Sequence, residues 1–397
     1  MTLAYVTSVT PTSPQGACTN SNNNTVLVIN SATLVIYDLP TLTQQHSYAI
    51  QNATPSGVSI INSSSAIVCY EGVNTVDLVE LSGGFRQSYS GGTSTLIGAQ
   101  LKGQNIAADP STNVAFWGST ASNSINRFDG NAFSVSAITL PFHGGSAASF
   151  TIMLKSPGRW FVAGNSYSDI LEIDSLGNVV DSFSFPLQVF PSTNYDATGA
   201  TQQVSPPNAI SYSNNMLTVS FNNAAFCQMD WSTKTILKIH HPGVGYCLAT
   251  CASGVTITHP TTLGLQGHLM ELDMAIRPMT VRDQLFLDST AVSIGCDINP
   301  ATGYGWALSQ SSKLYSFTVA PRASTTRTFT VQNNGINQVA RLVLLDDTGG
   351  QGTDTVLLDT KMQSPATYTV PTGKTIIEIV RIGEGTNSLW DVSTYST

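Results

Sequence analysis

The chain has 397 residues, a formal net charge of −8 and only 16 lysines and arginines, which are scattered. That balance excludes the concentrated basic surface on which nucleic-acid binding depends. Charged residues are 10% of the chain and hydrophobic ones 41%. Disorder is therefore excluded too, and the surface is made of Ser, Thr, Asn, Gln and Gly.

The first element is a strand at Leu3–Val9, which stands before any repeat begins. The N-terminus has no basic flank and no long apolar run, so no secretory signal is expected. No stretch approaches the roughly 18 apolar residues of a membrane span. From residue 34 onwards, seven strand-like runs each end in a short marker, most often an aspartate before a turn. They are Leu34–Asp38, Val76–Glu80, Ile125–Asp129, Ile170–Asp174, Phe226–Asp230, Leu269–Asp273 and Lys313–Ser316. A recurrence of roughly 40–50 residues built only from short strands is the pattern of a β-propeller with about four strands per blade.

The second unit shows the plan. Gly57–Ile61 is the inner strand, followed by Ala66–Tyr70, Asn74–Val79 and Phe85–Tyr89, with turns rich in Ser, Gly and Asn between them. The fourth unit repeats it with 150–154, 160–163, 170–173 and 179–183. No run carries the 3.6-residue apolar spacing of a helix. The seventh unit supplies three strands, Ala291–Gly295, Tyr304–Leu308 and Lys313–Phe317, and no fourth. The lone N-terminal strand is expected to complete it, because an unpaired edge is a liability that ring closure removes. The expected fold is all-β: a seven-bladed β-propeller over residues 1–322. In general form this repeat plan resembles the WD-repeat and related propeller families, without the Gly-His and Trp-Asp signatures of WD repeats.

Residues 323–397 leave the period. Arg327–Val331, Ala340–Leu345, Thr355–Leu358, Thr367–Val370, Thr375–Val380 and Leu389–Ser393 read as strands of a small β-sandwich, jelly-roll-like, that serves as an interaction module. It is small enough to gain from burying a face against a partner.

The candidate chemical groups each have a simpler structural reading. His240, His241, Cys247, Cys251, His259 and His268 include types that bind Zn²⁺. Cys247 and Cys251, however, would sit about 13 Å apart along a strand, so no metal site is assigned. Asp346, Asp347 and Asp354 surround glycines as a Ca²⁺ loop does, but Asp and Gly also make an ordinary hairpin turn. The recurring Asp38, Asp129, Asp174, Asp230 and Asp273 are expected to accept backbone N–H bonds in a repeated turn. The six cysteines are expected to be reduced and mostly buried, with a Cys18–Cys296 disulfide allowed but not required. No catalytic residue and no cofactor is assigned. No Gly-x-Ser-x-Gly elbow occurs, and the sialidase box is missing. The longest excursion, Pro186–Pro207, offers Phe190 and Tyr195 as interaction anchors, and the C-terminal module offers Trp390 and Tyr395.

Low charge, the absent signal and a propeller joined to a small β-module together resemble the tail, nozzle or attachment components of bacteriophage virions. That resemblance implies a non-enzymatic structural or attachment protein located in the virion. Its partners would be other virion proteins and a host-surface glycan, with no nucleic acid and no membrane span. Two alternatives stay open: an extracellular carbohydrate-binding or carbohydrate-active propeller, which needs two convergent carboxylates, and a cellular scaffold propeller.

Overall fold

The computed structural model describes residues 2–51, 54–95, 105–121, 123–142, 150–164, 169–185, 207–213, 215–221, 226–240, 247–250, 256–259, 268–273, 280–287, 293–309, 312–320, 327–333, 339–346, 356–363, 366–370, 374–382 and 390–391. Among these residues every regular element is a strand. No helix among them is long and apolar enough to cross a membrane. The chain divides into two compact units, Thr2–Met274 with Pro278–Ala320, and a smaller one that holds Pro321–Thr397.

The larger unit begins with β1 (Thr2–Val9). Six antiparallel sheets of four consecutive strands follow. Sheet I is β2 (Pro14–Asn20), β3 (Thr25–Asn30), β4 (Thr33–Asp38) and β5 (Gln44–Ala49). Sheet II is β6 (Pro55–Asn62), β7 (Ser65–Tyr70), β8 (Thr75–Glu80) and β9 (Gly84–Ser90). Sheet III is β10 (Ile106–Asp109), β11 (Val114–Gly118), β12 (Ser124–Asp129) and β13 (Ser134–Thr139). Sheet IV is β14 (Phe150–Ser156), β15 (Arg159–Gly164), β16 (Asp169–Asp174) and β17 (Val179–Ser184). Sheet V is β18 (Pro207–Ser213), β19 (Met216–Phe221), β20 (Phe226–Asp230) and β21 (Thr235–His240). Sheet VI is β22 (Cys247–Thr250), β23 (Thr256–His259), β24 (His268–Asp273) and β25 (Thr280–Phe286). Last come β26 (Ser293–Ile298), β27 (Tyr304–Ser309) and β28 (Leu314–Ala320). These three take β1 as their fourth strand, in the order β1-β28-β27-β26.

This is a β-propeller arrangement. Blades made from one uninterrupted repeat number six, against the seven blades expected from the recurring strand ends. The difference is the last repeat, which supplies only three strands and borrows β1 from the far end of the unit.

The physical basis is visible strand by strand. In sheets I to IV the two middle strands are buried almost throughout, as in β7 and β8, β11 and β12, and β15 and β16. The fourth strand alternates or is exposed, as in β5, β13 and β17. A central strand covered on both sides reads as a continuous apolar run, and a rim strand reads as an alternation. The cores lie between sheets. Leu27, Ile29, Val58 and Val68 fill the seam between I and II. Ile67, Leu78, Trp117 and Phe128 fill the one between II and III. Phe116, Trp160, Val162 and Leu171 fill III to IV, and Phe161, Leu217, Phe221 and Trp231 fill IV to V. Val26, Val28, Trp306 and Leu308 join the closing sheet to I.

Glycines permit a second interlock at the rim. Gly84 has φ +89°, and a Cβ there would meet the Tyr48 ring at 2.7 Å. Gly177 has φ +88°, and a Cβ would meet Ile138 at 2.3 Å. In each case a side chain from the outer strand of one sheet lies across the turn of the next. Only glycine gives both the left-handed backbone and the room.

In the smaller unit, β29 (Arg327–Asn333), β30 (Val339–Asp346), β31 (Val356–Gln363), β32 (Ala366–Val370), β33 (Lys374–Ile382) and β34 (Trp390–Asp391) follow in chain order. They form two three-stranded sheets, β32-β29-β34 and β31-β30-β33. All six strands read from the sequence are present here.

Candidate interaction face

Antiparallel order gives every sheet two kinds of chain reversal. The turns from first to second and from third to fourth strand lie at one end. The turns from second to third, and the connections to the next sheet, lie at the other.

The first end is closed by side chains that the sequence places repeatedly. Asp38 Oδ2 accepts the N–H of Thr41 at 3.0 Å and its hydroxyl at 2.6 Å. Asp129 Oδ1 accepts the N–H groups of Asn131 and Ala132 at 3.0 and 3.2 Å. Asp174 Oδ1 accepts those of Leu176 and Asn178, both at 2.9 Å. Asp230 Oδ1 accepts those of Ser232 and Thr233 at 2.8 and 3.1 Å. The repeated aspartate is a turn device, as its spacing implies; the side chain of Asp273 lies outside the described residues. The hydroxyl of Ser232, with the Thr233 amide, holds the Asp230 carboxyl below the ordinary carboxylate range. At Asp129 and Asp174 burial pushes the other way, and the hydrogen bonds outweigh it.

These turns are also tied to each other. Asn24, Asn113 and Asn215 have φ of 51°, 60° and 62°, a left-handed conformation that asparagine tolerates. Their carbonyls accept the N–H of Leu39, Gly130 and Trp231 at 2.9, 2.8 and 2.9 Å. Between sheets, Asn62 Nδ2 donates to Asn113 Oδ1 at 3.3 Å. Asn299 Nδ2 donates to Asn24 Oδ1 at 2.9 Å.

Asp109 links sheets III and IV. It accepts the Ser111 amide at 2.8 Å, the Ser111 and Thr112 hydroxyls at 2.7 and 3.0 Å, and the N–H of Gly158 in sheet IV at 2.6 Å. Burial raises its proton affinity, but these donors win and its carboxyl is held low. A carboxyl depressed in the folded state stabilises above its unfolded pKa of about 3.9. That contribution is lost as pH falls through the lower folded value. Asp109→Ala is therefore expected to cost about 1–3 kcal/mol near neutrality, by urea unfolding. The gap to the parent chain should narrow as pH falls through the depressed folded pKa of Asp109. A gap that persists unchanged at low pH would rule this account out.

The opposite end is different. It carries the longest connections, from Thr95 to Asn105, from Phe142 to Phe150 and from Phe185 to Pro207. At this end two connections between sheets, the short one from I to II and the long one from II to III, are held at their roots by buried polar side chains on third strands. Asp77, fully buried, accepts the Tyr70 hydroxyl, the Ser88 hydroxyl at 2.5 Å and the N–H of Gln51 at 3.0 Å, just after sheet I. Asn126, also fully buried, accepts the N–H of Thr93 and donates to its carbonyl, both at 2.9 Å, just after sheet II. Thr95 bridges Glu71 and Ser119 through its backbone and accepts the Trp117 indole N–H at 2.9 Å. Asp77 and Asn126 occupy the same place in their strands, each the third residue of β8 or β12. Sequence reading missed both; the available signal was a polar residue inside an apolar strand run.

The interaction residues expected from the sequence fall outside these contacts. Phe190, Tyr195 and Tyr395 lie outside the described residues, as do Asp347, Asp354 and Cys251. Trp390 is placed only by its backbone, which pairs with Asn333. Cys247 and His259 are partners across β22 and β23, with their side chains likewise outside the description. Cys18, Cys69, Cys227 and Cys296 are not joined in any disulfide, so the Cys18–Cys296 bond is not made. Burial pushes the Cys69 thiol up to about 12 and those of Cys18 and Cys227 higher still. These thiols are inert rather than poised for reaction. Among the described residues, no group of three or more His, Cys, Asp or Glu side chains is placed to hold a metal ion.

The chain matches no protein-family model and no curated protein.

Proposed function

We propose that this protein is a non-enzymatic structural or attachment component of a bacteriophage virion, in the tail, nozzle or host-adhesion apparatus. In this reading the closing sheet acts as a seventh blade. The two three-stranded sheets of the smaller unit form a sandwich-like module that engages a neighbouring virion protein or a host-surface glycan.

The observation that carries the proposal is the difference between the two ends of the sheets. One end is short turns whose carboxylates, from Asp38 to Asp230, are engaged with backbone N–H groups. The other end bears the long connections, and Asn126 clamps the root of the one that leaves sheet II. A rigid scaffold that displays loops from one side is suited to binding. A chain with only 10% charged residues suits recognition that depends little on salt.

The test is incorporation. Particles from a host producing the chain should contain it by mass spectrometry. A version ending at residue 322 should fold, by circular dichroism and cooperative melting, yet be lost from particles. Normal incorporation of that version would remove the role given to the smaller unit. Polysaccharide cleavage abolished by one carboxylate substitution would replace the whole proposal with an enzymatic one.

A further inference from the structure

The strand that completes the closing sheet is attached differently from every strand it completes. β1 pairs with β28 from Thr2↔Ala320 to Val9↔Leu314, with the register broken between Tyr5 and Thr7. Its other neighbour is β25. Its side chains contribute little burial. Leu3 is 6% exposed, whereas Tyr5 is 49% and Val6 39% exposed, and Val9 only borders the core between the closing sheet and sheet I. The strand beneath it is another matter: Leu314, Tyr315, Ser316 and Phe317 are all buried. The closing sheet is thus held to sheet I chiefly by Trp306, Leu308 and Leu314, with β1 adding only Val9 at the border.

The chain just after β1 is a short link, with Pro11 buried, that ends in a fixed anchor. Ser13 is fixed to sheet I: its N–H donates to Asn30 Oδ1 at 2.8 Å and its carbonyl accepts the Ser31 N–H at 2.9 Å. Only Thr10, Pro11 and Thr12 separate that anchor from β1. Detaching β1 therefore breaks the ladder to β28 and withdraws one buried side chain of its own, Leu3. Local openings of this kind draw on regions with few buried apolar contacts. A short proline-containing hinge also favours exchange of a terminal element between copies.

We propose that β1 is an exchangeable latch. It leaves β28 without unfolding the other sheets, and the vacated edge of β28 accepts the same strand from a second copy of this chain. The accepting edge is a backbone ladder. The donor Thr2–Val9 carries no charge, so recognition rests on main-chain hydrogen bonds and on Leu3.

Two measurements on the full chain test this. In hydrogen exchange, amides of β1 and their β28 partners should exchange at least tenfold faster than those of β27, at protein concentrations where the chain is monomeric. An acetylated peptide of residues 2–10, in excess and fluorescently labelled, should be taken up saturably, and unlabelled full-length protein should compete with it. A scrambled peptide should not bind. Leu3→Ser should raise uptake of the parent peptide by roughly tenfold, because it removes the buried anchor of the resident strand. Equal protection of β1 and β27 would overturn the latch. Uptake no better than that of the scrambled peptide would overturn exchange.

Discussion

Trp160→Ala is expected to destabilise the larger unit by about 3–5 kcal/mol, which approaches the whole stability of many domains. Trp160 is fully buried in β15 and packs edge-on against Phe116 of sheet III, with ring centroids 4.9 Å apart. Its indole N–H donates to the Ala107 carbonyl at 3.1 Å. One side chain therefore fills the seam between III and IV and satisfies an inner-strand carbonyl across it. The alanine variant loses the packing, leaves a cavity between two sheets and strands that carbonyl. Trp160→Phe separates the terms: it keeps most of the apolar volume but not the donor, and should cost about 1–3 kcal/mol. Urea midpoints at constant slope check both. A cost below about 1 kcal/mol for the alanine variant would mean that the seam collapses around the gap.

The seams explain why so much of this architecture is legible in the sequence. Blade strands are short, and their burial alternates with position, so Ala66–Tyr70 and Trp160–Ala163 can be seen as buried runs and Val179–Phe183 as a rim strand. The turn aspartates are legible because the same geometry recurs at Asp38, Asp129, Asp174 and Asp230, and each recurrence repeats the same carboxylate-to-amide bonds. The three-strand last repeat and the orphan strand at Leu3–Val9 are both visible, and the pairing of β1 with β28 joins them. The blade count differs at the last repeat, which supplies a marker but only three strands of its own and reaches four only by taking β1.

What periodicity does not reveal is polar chemistry inside the strands. Asp77 and Asn126 interrupt apolar runs, and only their partners on the incoming connections give them meaning. Asp109 sits in a first turn that most units build without a carboxylate, and one of its partners, Gly158, comes from the next sheet. The candidate anchors Phe190, Tyr195, Trp390 and Tyr395 were chosen for residue type, with no repeat to fix their surroundings.

Glu172→Ala is expected to cost about 3–5 kcal/mol through a different mechanism. Glu172 lies in β16 with its side chain only 8% exposed. Its Oε2 accepts the Lys155 ammonium at 2.6 Å and the Trp231 indole N–H at 2.7 Å, and Arg159 stands at 3.9 Å from Oε1. The lysine comes from β14 of the same sheet, whereas the tryptophan follows β20 in sheet V. One carboxylate thus fixes the seam between IV and V and neutralises a cation that is itself mostly buried. Lys155 also lies over the rings of Phe161 and Tyr212, at 5.4 and 5.6 Å, but that attraction is too weak to hold an ammonium out of water alone. Removing Glu172 leaves the charge uncompensated and the Trp231 donor unpaired. Replacing both ions by methionines removes the charge with its partner and should cost far less than the single substitution, because attraction within a buried pair largely offsets its desolvation. A double-mutant cycle of Lys155→Met and Glu172→Met, read by urea unfolding, isolates the coupling. A coupling near zero would show that Lys155 reaches water when its partner is gone, and that the seam is held by Phe161, Leu217 and Trp231 packing alone.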